Sequence, residues 1–163
     1  MSIKSLRAMC EEAEPMTLDV VNVSKGVSAE MLSVDEANKL RDAAKGMGVD
    51  PNQNRLLYIV VSGEQVAGGL YAFVDEEVVR MSPVVVKDFT GKGVGEMLCK
   101  LARTEFRDNY DDQKKILELV VGKSLTPTLK KDGFILKDNV EHDTVTARLL
   151  PSGDRVQEIL EDE

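Results

Sequence analysis

The chain has 163 residues, enough for one domain around one core and too few for two. Lys plus Arg number 21 against 29 Asp plus Glu, and the formal charge of −8 argues against a nucleic-acid binder or a protein drawn to anionic membrane surfaces. Trp is absent and aromatics make up 4%, so platforms for stacking single-stranded bases are not expected either.

In chain order, residues 1–14 read as a short helix with Leu6, Met9 and Cys10 on one side, closed by Pro15. No apolar block accompanies Lys4 and Arg7, so no secretory signal is expected. Residues 17–23 alternate as a strand. Ser33-Val34-Asp35-Glu36 is a capping box that opens a helix with Val34, Ala37, Leu40 and Ala44 on one face, stopped by Gly46 and Gly48. Residues 56–61 and 65–74 read as a hairpin about Ser62-Gly63-Glu64. The run 56–61 is the longest strongly apolar one, much too short to span a bilayer. A third strand covers 78–86, where Pro83 removes a ladder donor and predicts an edge or a bulge.

After a connection at 87–91, a helix is expected from about 93 to 108, with Val94, Met97, Leu98, Leu101, Ala102 and Phe106 on one face. A central strand at 115–121, a short helix at 126–131, and two paired strands at 134–137 and 144–149 follow. Ser152 is placed to cap a last helix before the acidic Glu161-Asp162-Glu163. This order predicts a single α/β (α+β) domain, residues 1–163, with its core at about 17–149 and a mixed sheet packed by helices. Cys10 and Cys99 lie far apart, which is neither a disulfide framework nor a metal-ligand pattern. A reducing, cytoplasmic location and no metal are expected.

The segment with chemical content is Thr90-Gly91-Lys92-Gly93-Val94-Gly95, between a strand and an amphipathic helix. Alternating glycines there bare backbone N–H groups at a helix N-terminus, which suits a phosphate or pyrophosphate. Two other phosphate motifs fail. The dinucleotide fingerprint needs a third glycine where Glu96 stands, and Gly122-Lys123-Ser124 has Leu117 in place of the first Walker glycine.

Residues 85–95, Val85-Val86-Lys87-Asp88-Phe89-Thr90-Gly91-Lys92-Gly93-Val94-Gly95, resemble the acetyl-CoA signature of the GNAT superfamily of N-acetyltransferases. Leu129-Lys130-Lys131-Asp132-Gly133-Phe134 resembles that family's Tyr-x-x-x-Gly-Phe region, and the element order agrees over about 17–149. The resemblance implies a mostly antiparallel mixed sheet, splayed at its centre, with helices on both faces. It implies that the backbone of Pro83, Val84 and Val85 pairs with pantetheine. The segment Thr90, Gly91, Lys92, Gly93, Val94, Gly95 and Glu96 would then hold the pyrophosphate of acetyl-CoA. A bulge in the third strand would splay it from the 115–121 strand.

The chain also departs from that pattern. Thr90 replaces the usual Arg or Gln, losing a charge-assisted contact. The usual glutamate base would fall near Met81 or Val79, and the usual tyrosine acid aligns with Leu129; none of these can move a proton. Substitutes in reach of the sequence are Glu77 and Tyr71, with Glu76 and Tyr58 beside them. His142 reads as a surface turn residue, Cys99 as a packed thiol, and Lys123, Lys130 and Lys131 as cations near the nucleotide phosphates or as plain surface.

Two functions follow. One is transfer of an acyl group from acetyl-CoA to a primary amine, with a small cationic amine or a peptide amine favoured by the acidic balance. The other is a GNAT-like subunit without catalysis that binds a protein assembly partner, as small virion-associated chains of bacteriophages do. The family often dimerises, so the resemblance is compatible with a homo-oligomer.

Overall fold

The computed structural model describes residues 17–28, 30–110, 113–139 and 143–151. The expected helix at 1–14, Cys10, His142 and the C-terminal helix and acidic tail lie outside these.

Seven strands form one sheet: β1 (Asp19–Asn22), β2 (Arg55–Ser62), β3 (Gln65–Val74), β4 (Val78–Val85), β5 (Ile116–Gly122), β6 (Ile135–Asn139) and β7 (Thr144–Leu149). Their spatial order is β1-β2-β3-β4-β5-β7-β6. Every neighbouring pair is antiparallel except β4 and β5. Among the described residues three α-helices pack on the sheet: α1 (Val34–Gly46), α2 (Val94–Asn109) and the short α3 (Thr126–Lys131).

Helix α1 starts where the capping box predicts. Ser33 Oγ accepts from the Glu36 N–H at 3.2 Å, and Gly48, at φ +78°, turns the chain away after the last turn. Glu36 does not complete the box. Its carboxylate reaches across to the Val66 N–H of β3 at 2.9 Å, with Lys39 at 3.0 Å on the other oxygen. The Val66 bond is the main reason its carboxyl sits below the usual carboxylate range. The cap thereby pins α1 to the sheet as well as starting it.

β3 is the centre of the packing, and two adjacent glycines let helices approach both of its faces. A Cβ on Gly69 would lie 3.0–3.2 Å from Leu56 and Leu40, so α1 covers that face. A Cβ on Gly68 would lie 2.5 Å from the Val84 carbonyl oxygen and 2.9 Å from Val94, so α2 covers the other. Leu40, Leu70, Met81, Leu98, Phe106 and Leu117 are fully buried between these layers.

β4 corrects the reading of Pro83. The strand is interior, and its register with β3 runs unbroken from Gly68↔Val85 to Val74↔Val79, with no bulge. The register shifts lie between β2 and β3 instead. Pro83 is tolerated because of where its missing donor would point. Val86 donates to the Ala67 carbonyl of β3, so by strand alternation Val84 also turns its polar groups to β3, while Pro83 and Val85 turn theirs towards β5. There β4 has no ladder to join. The two strands pair only at Val78↔Ile116, Val79↔Leu117 and Arg80↔Glu118, and then diverge. The splay arises from this parting and not from a bulge.

The two glycines differ in what surrounds them. Gly68→Ala forces backbone apart and is expected to cost about 2–3 kcal/mol. Gly69→Ala meets only flexible leucine ends and should cost less than half as much. Urea unfolding of both variants checks the ranking.

Candidate functional site

The parting strands end side by side, and their carboxyl ends build a cavity of about 290 Å³. From the β4 side it is lined by Val85, Thr90, Gly91, Gly93, Gly95 and Glu96; from the β5 side, by Ser124 and Leu125. Gly91 and Gly93 adopt φ of +78° and +83°, left-handed conformations that glycine enters without strain. A Cβ on either would meet nothing within 4 Å, so both border open space. Gly93 is the N-cap of α2 and supplies no side-chain cap. The first-turn amides of Val94, Gly95 and Glu96 therefore have no intrahelical acceptor and carry the positive end of a helix of 16 residues. The residues present fit a diphosphate: open space, bare donors and a favourable dipole meet in one place. Glu96 is the exception in charge. Its carboxylate is drawn aside by the Thr128 hydroxyl at 3.2 Å, which also ties α3 to α2.

Sequence reasoning missed Ser124 and Leu125. The available signal was Gly122-Lys123-Ser124, correctly rejected as a Walker loop. The residues form the turn Lys123–Leu125 after β5, which closes the cavity from the far side. Leu125 lies 3.4 Å from where a Gly95 Cβ would be, so that glycine keeps the wall thin.

Along the gap, the side chains at the expected acid and base positions are apolar and buried. Val79 and Leu129 are 0% exposed and Met81 is 1%. Glu76 and Glu77 are exposed at the closed end of the strands, where the Glu77 carbonyl accepts from the Ile116 N–H at 3.0 Å. At ~3.3 Å per residue, Glu77 is roughly 20 Å along β4 from Pro83. Tyr58 lies on β2, and its hydroxyl donates to Glu105 of α2 at 2.7 Å. That bond, with burial, pushes its phenol up to about 12. Tyr71 is buried on the α1 face of β3, opposite Ser82 of β4. Burial raises its phenol, opposed by the charge of Arg41. Cys99 is buried in α2, and burial first, then Asp132 and Glu96, pushes its thiol up to about 12.

A carboxylate does stand where β4 and β5 part, one not anticipated from sequence. Glu118 accepts from Arg80 Nε on one oxygen and Arg148 Nε on the other, both at 3.1 Å. This clasp joins β4, β5 and β7 across the last paired position and occupies both oxygens. Among the described residues, no group of three or more His, Cys, Asp or Glu is placed to hold a metal ion, and no helix is long and apolar enough to cross a membrane.

The splayed central strands, the glycine turn into α2 and the helices on both faces are those of the GNAT N-acyltransferase fold. Among solved structures, ElaA of Escherichia coli matches with a TM-score of 0.54 at 13% identity, over 82% of this chain and 98% of that one. An acyl-CoA N-acyltransferase from Pseudomonas aeruginosa matches with a TM-score of 0.54 at 15% identity, over 81% of this chain and 99% of that one. No family model and no curated protein matches the sequence.

Tyr58 yields a prediction with a definite sign. Its phenol binds its proton more tightly when folded, so its contribution is full below pH 10 and is lost as pH rises towards about 12. Tyr58→Phe should lower stability by about 1 kcal/mol at neutral pH. It should also reduce the alkaline fall in the urea midpoint.

Proposed function

We propose that this protein is an acetyl-CoA-dependent N-acyltransferase acting on a primary amine. The observation that carries the reading is the open glycine cradle at the mouth of the parted strands. In this reading the amides from Gly91 to Glu96, with the Thr90 and Ser124 hydroxyls, hold the pyrophosphate. Pantetheine lies between β4 and β5 and pairs with the β5-facing groups of Val85 and the carbonyl of Pro83. Val84 serves as packing under it, because its polar groups belong to the β3 ladder.

The chemistry is direct transfer. The amine nitrogen attacks the thioester carbonyl, the C–N bond forms, the C–S bond breaks, and the proton released by nitrogen ends on the departing thiolate. With hydrocarbon at Met81, Val79 and Leu129, the amine has to arrive neutral and its proton leaves through water. Below the pKa of the acceptor amine, the rate should therefore rise about tenfold per pH unit with no inflection from a protein group. A pH–rate profile with two amines of different pKa checks this, since the curve should move with the amine.

Cofactor binding is tested by calorimetric titration with acetyl-CoA. We expect micromolar affinity, and at least about a hundredfold loss in Gly93→Asp, which sets a carboxylate against the phosphates. A melting curve of the variant separates lost binding from lost folding. Absence of binding by the unaltered protein overturns the proposal. Binding without turnover on any amine would favour the second reading, a GNAT-like structural or interaction subunit without catalysis.

A further inference from the structure

A second cavity, of about 200 Å³, opens on the face of the sheet opposite α2. Its walls are mostly apolar, with Leu32, Ala37, Leu40 and Leu56 prominent, and two residues with polar groups line it, Tyr71 and Arg41. Tyr71 is only 3% exposed. Buried phenols ordinarily find a partner. Among the described residues this hydroxyl has no protein partner, and it stays open to solvent, in a residue that lines the cavity. Among the described residues Arg41 makes one long contact, to Asn52 Oδ1 at 3.4 Å, and no other hydrogen bond.

The cavity is placed to serve the gap. Tyr71 is opposite Ser82, and Ser82 belongs to the stretch of β4 that has left β5. β4, the near wall of the opening, is thus about one strand spacing, ~4.8 Å, from Tyr71. The cavity also lies on the face opposite α2, whose N-terminus carries the glycine cradle.

We propose that this cavity is the acceptor subsite, and that the acceptor is a small amine bearing an aromatic or branched aliphatic group and a carboxylate. The assignment of an acceptor rests on the acyl-transfer reading; the binding chemistry does not. A hydrocarbon cavity of about 150 Å³ holds a benzene ring, so about 200 Å³ takes a ring or a branched side chain with a few polar atoms. The Tyr71 hydroxyl exchanges solvent for a hydrogen bond to the ligand, and the Arg41 guanidinium pairs with the carboxylate. A polyamine is excluded by the same features: the walls offer an ammonium no partner, and Arg41 repels it. The overall charge of −8 suggested a cationic acceptor, but the local chemistry selects against one.

The test is titration of the full chain with phenylalanine, phenethylamine and spermidine, read by NMR, alongside acetyl-CoA calorimetry. Phenylalanine should bind about tenfold tighter than phenethylamine and spermidine. Arg41→Gln should erase the advantage over phenethylamine, and Tyr71→Phe should weaken phenylalanine about threefold to tenfold. Ala37→Phe, which fills the cavity, should abolish binding of phenylalanine and phenethylamine with acetyl-CoA affinity unchanged. Should that variant fail to fold, the exposed Arg41→Gln still decides. Spermidine binding as well as phenylalanine, or phenylalanine binding indifferent to Arg41 and Tyr71, overturns the proposal. Acetyl-CoA binding without phenylalanine binding removes this acceptor class and leaves the transferase. Phenylalanine binding without acetyl-CoA binding removes the transferase.

Discussion

The architecture depends on one event in the sheet, the parting of β4 from β5 after Arg80↔Glu118. A parallel pair that stopped there without compensation would leave strand edges inside the molecule. Three features accommodate it. Pro83 carries no N–H on the side that has lost its partner, so one orphan donor never exists. The Arg80–Glu118–Arg148 clasp fixes the last paired position from the side chains, across three strands. Each strand then re-engages elsewhere, β4 with β3 along its whole length and β5 with β7 from Leu117 to Gly122. The gap is thus a fixed feature of the sheet, with polar backbone on its β4 wall.

What surrounds the gap follows from the glycines of β3. Gly68 and Gly69 draw α2 and α1 onto opposite faces at the same level of the sheet. α2 comes close enough for Val94, its first residue, to pack against the strand, which sets its N-terminus directly over the mouth of the gap. The approach of α1 brings Leu40 and Arg41 over the other face beside Tyr71. One pair of small residues therefore positions both the cradle and the second cavity.

Much of the fold was legible because its signals are local. The capping box at Ser33 marked the start of α1, the apolar spacing from Val94 to Phe106 marked α2, and alternating glycines marked the cradle. What escaped depends on partners distant in sequence. Pro83 announced a disturbed ladder, but only the topology shows that the disturbed side faces β5. Glu118 looked like one more strand residue until β7 brought Arg148 beside it. Tyr58 and Tyr71 were equivalent strand tyrosines in sequence. The alternation of β2 and β3 sends one to Glu105 of α2 and the other into a cavity beneath α1. Ser124 was hidden behind a motif rightly discarded, since its role comes from the convergence of two strand ends and not from a glycine spacing.

The arrangement also bears on the order of events in the proposed reaction. A covalent acyl-enzyme would need a nucleophile at the gap. The described cysteine, Cys99, is buried within α2 with its thiol pushed up to about 12, and stays a protonated packing group at neutral pH. Tyr58 is held protonated by its bond to Glu105 and by burial, and Tyr71 by burial. Among the described residues no activated side chain is placed to receive the acyl group, so in the proposed reaction both substrates are present together. The two cavities allow this, because one opens at the N-terminus of α2 and the other on the opposite face of the sheet. In the proposed reaction, the proximity of thioester and amine then supplies what acid and base groups do not, by holding the reacting atoms together beyond the point that the Glu118 clasp closes.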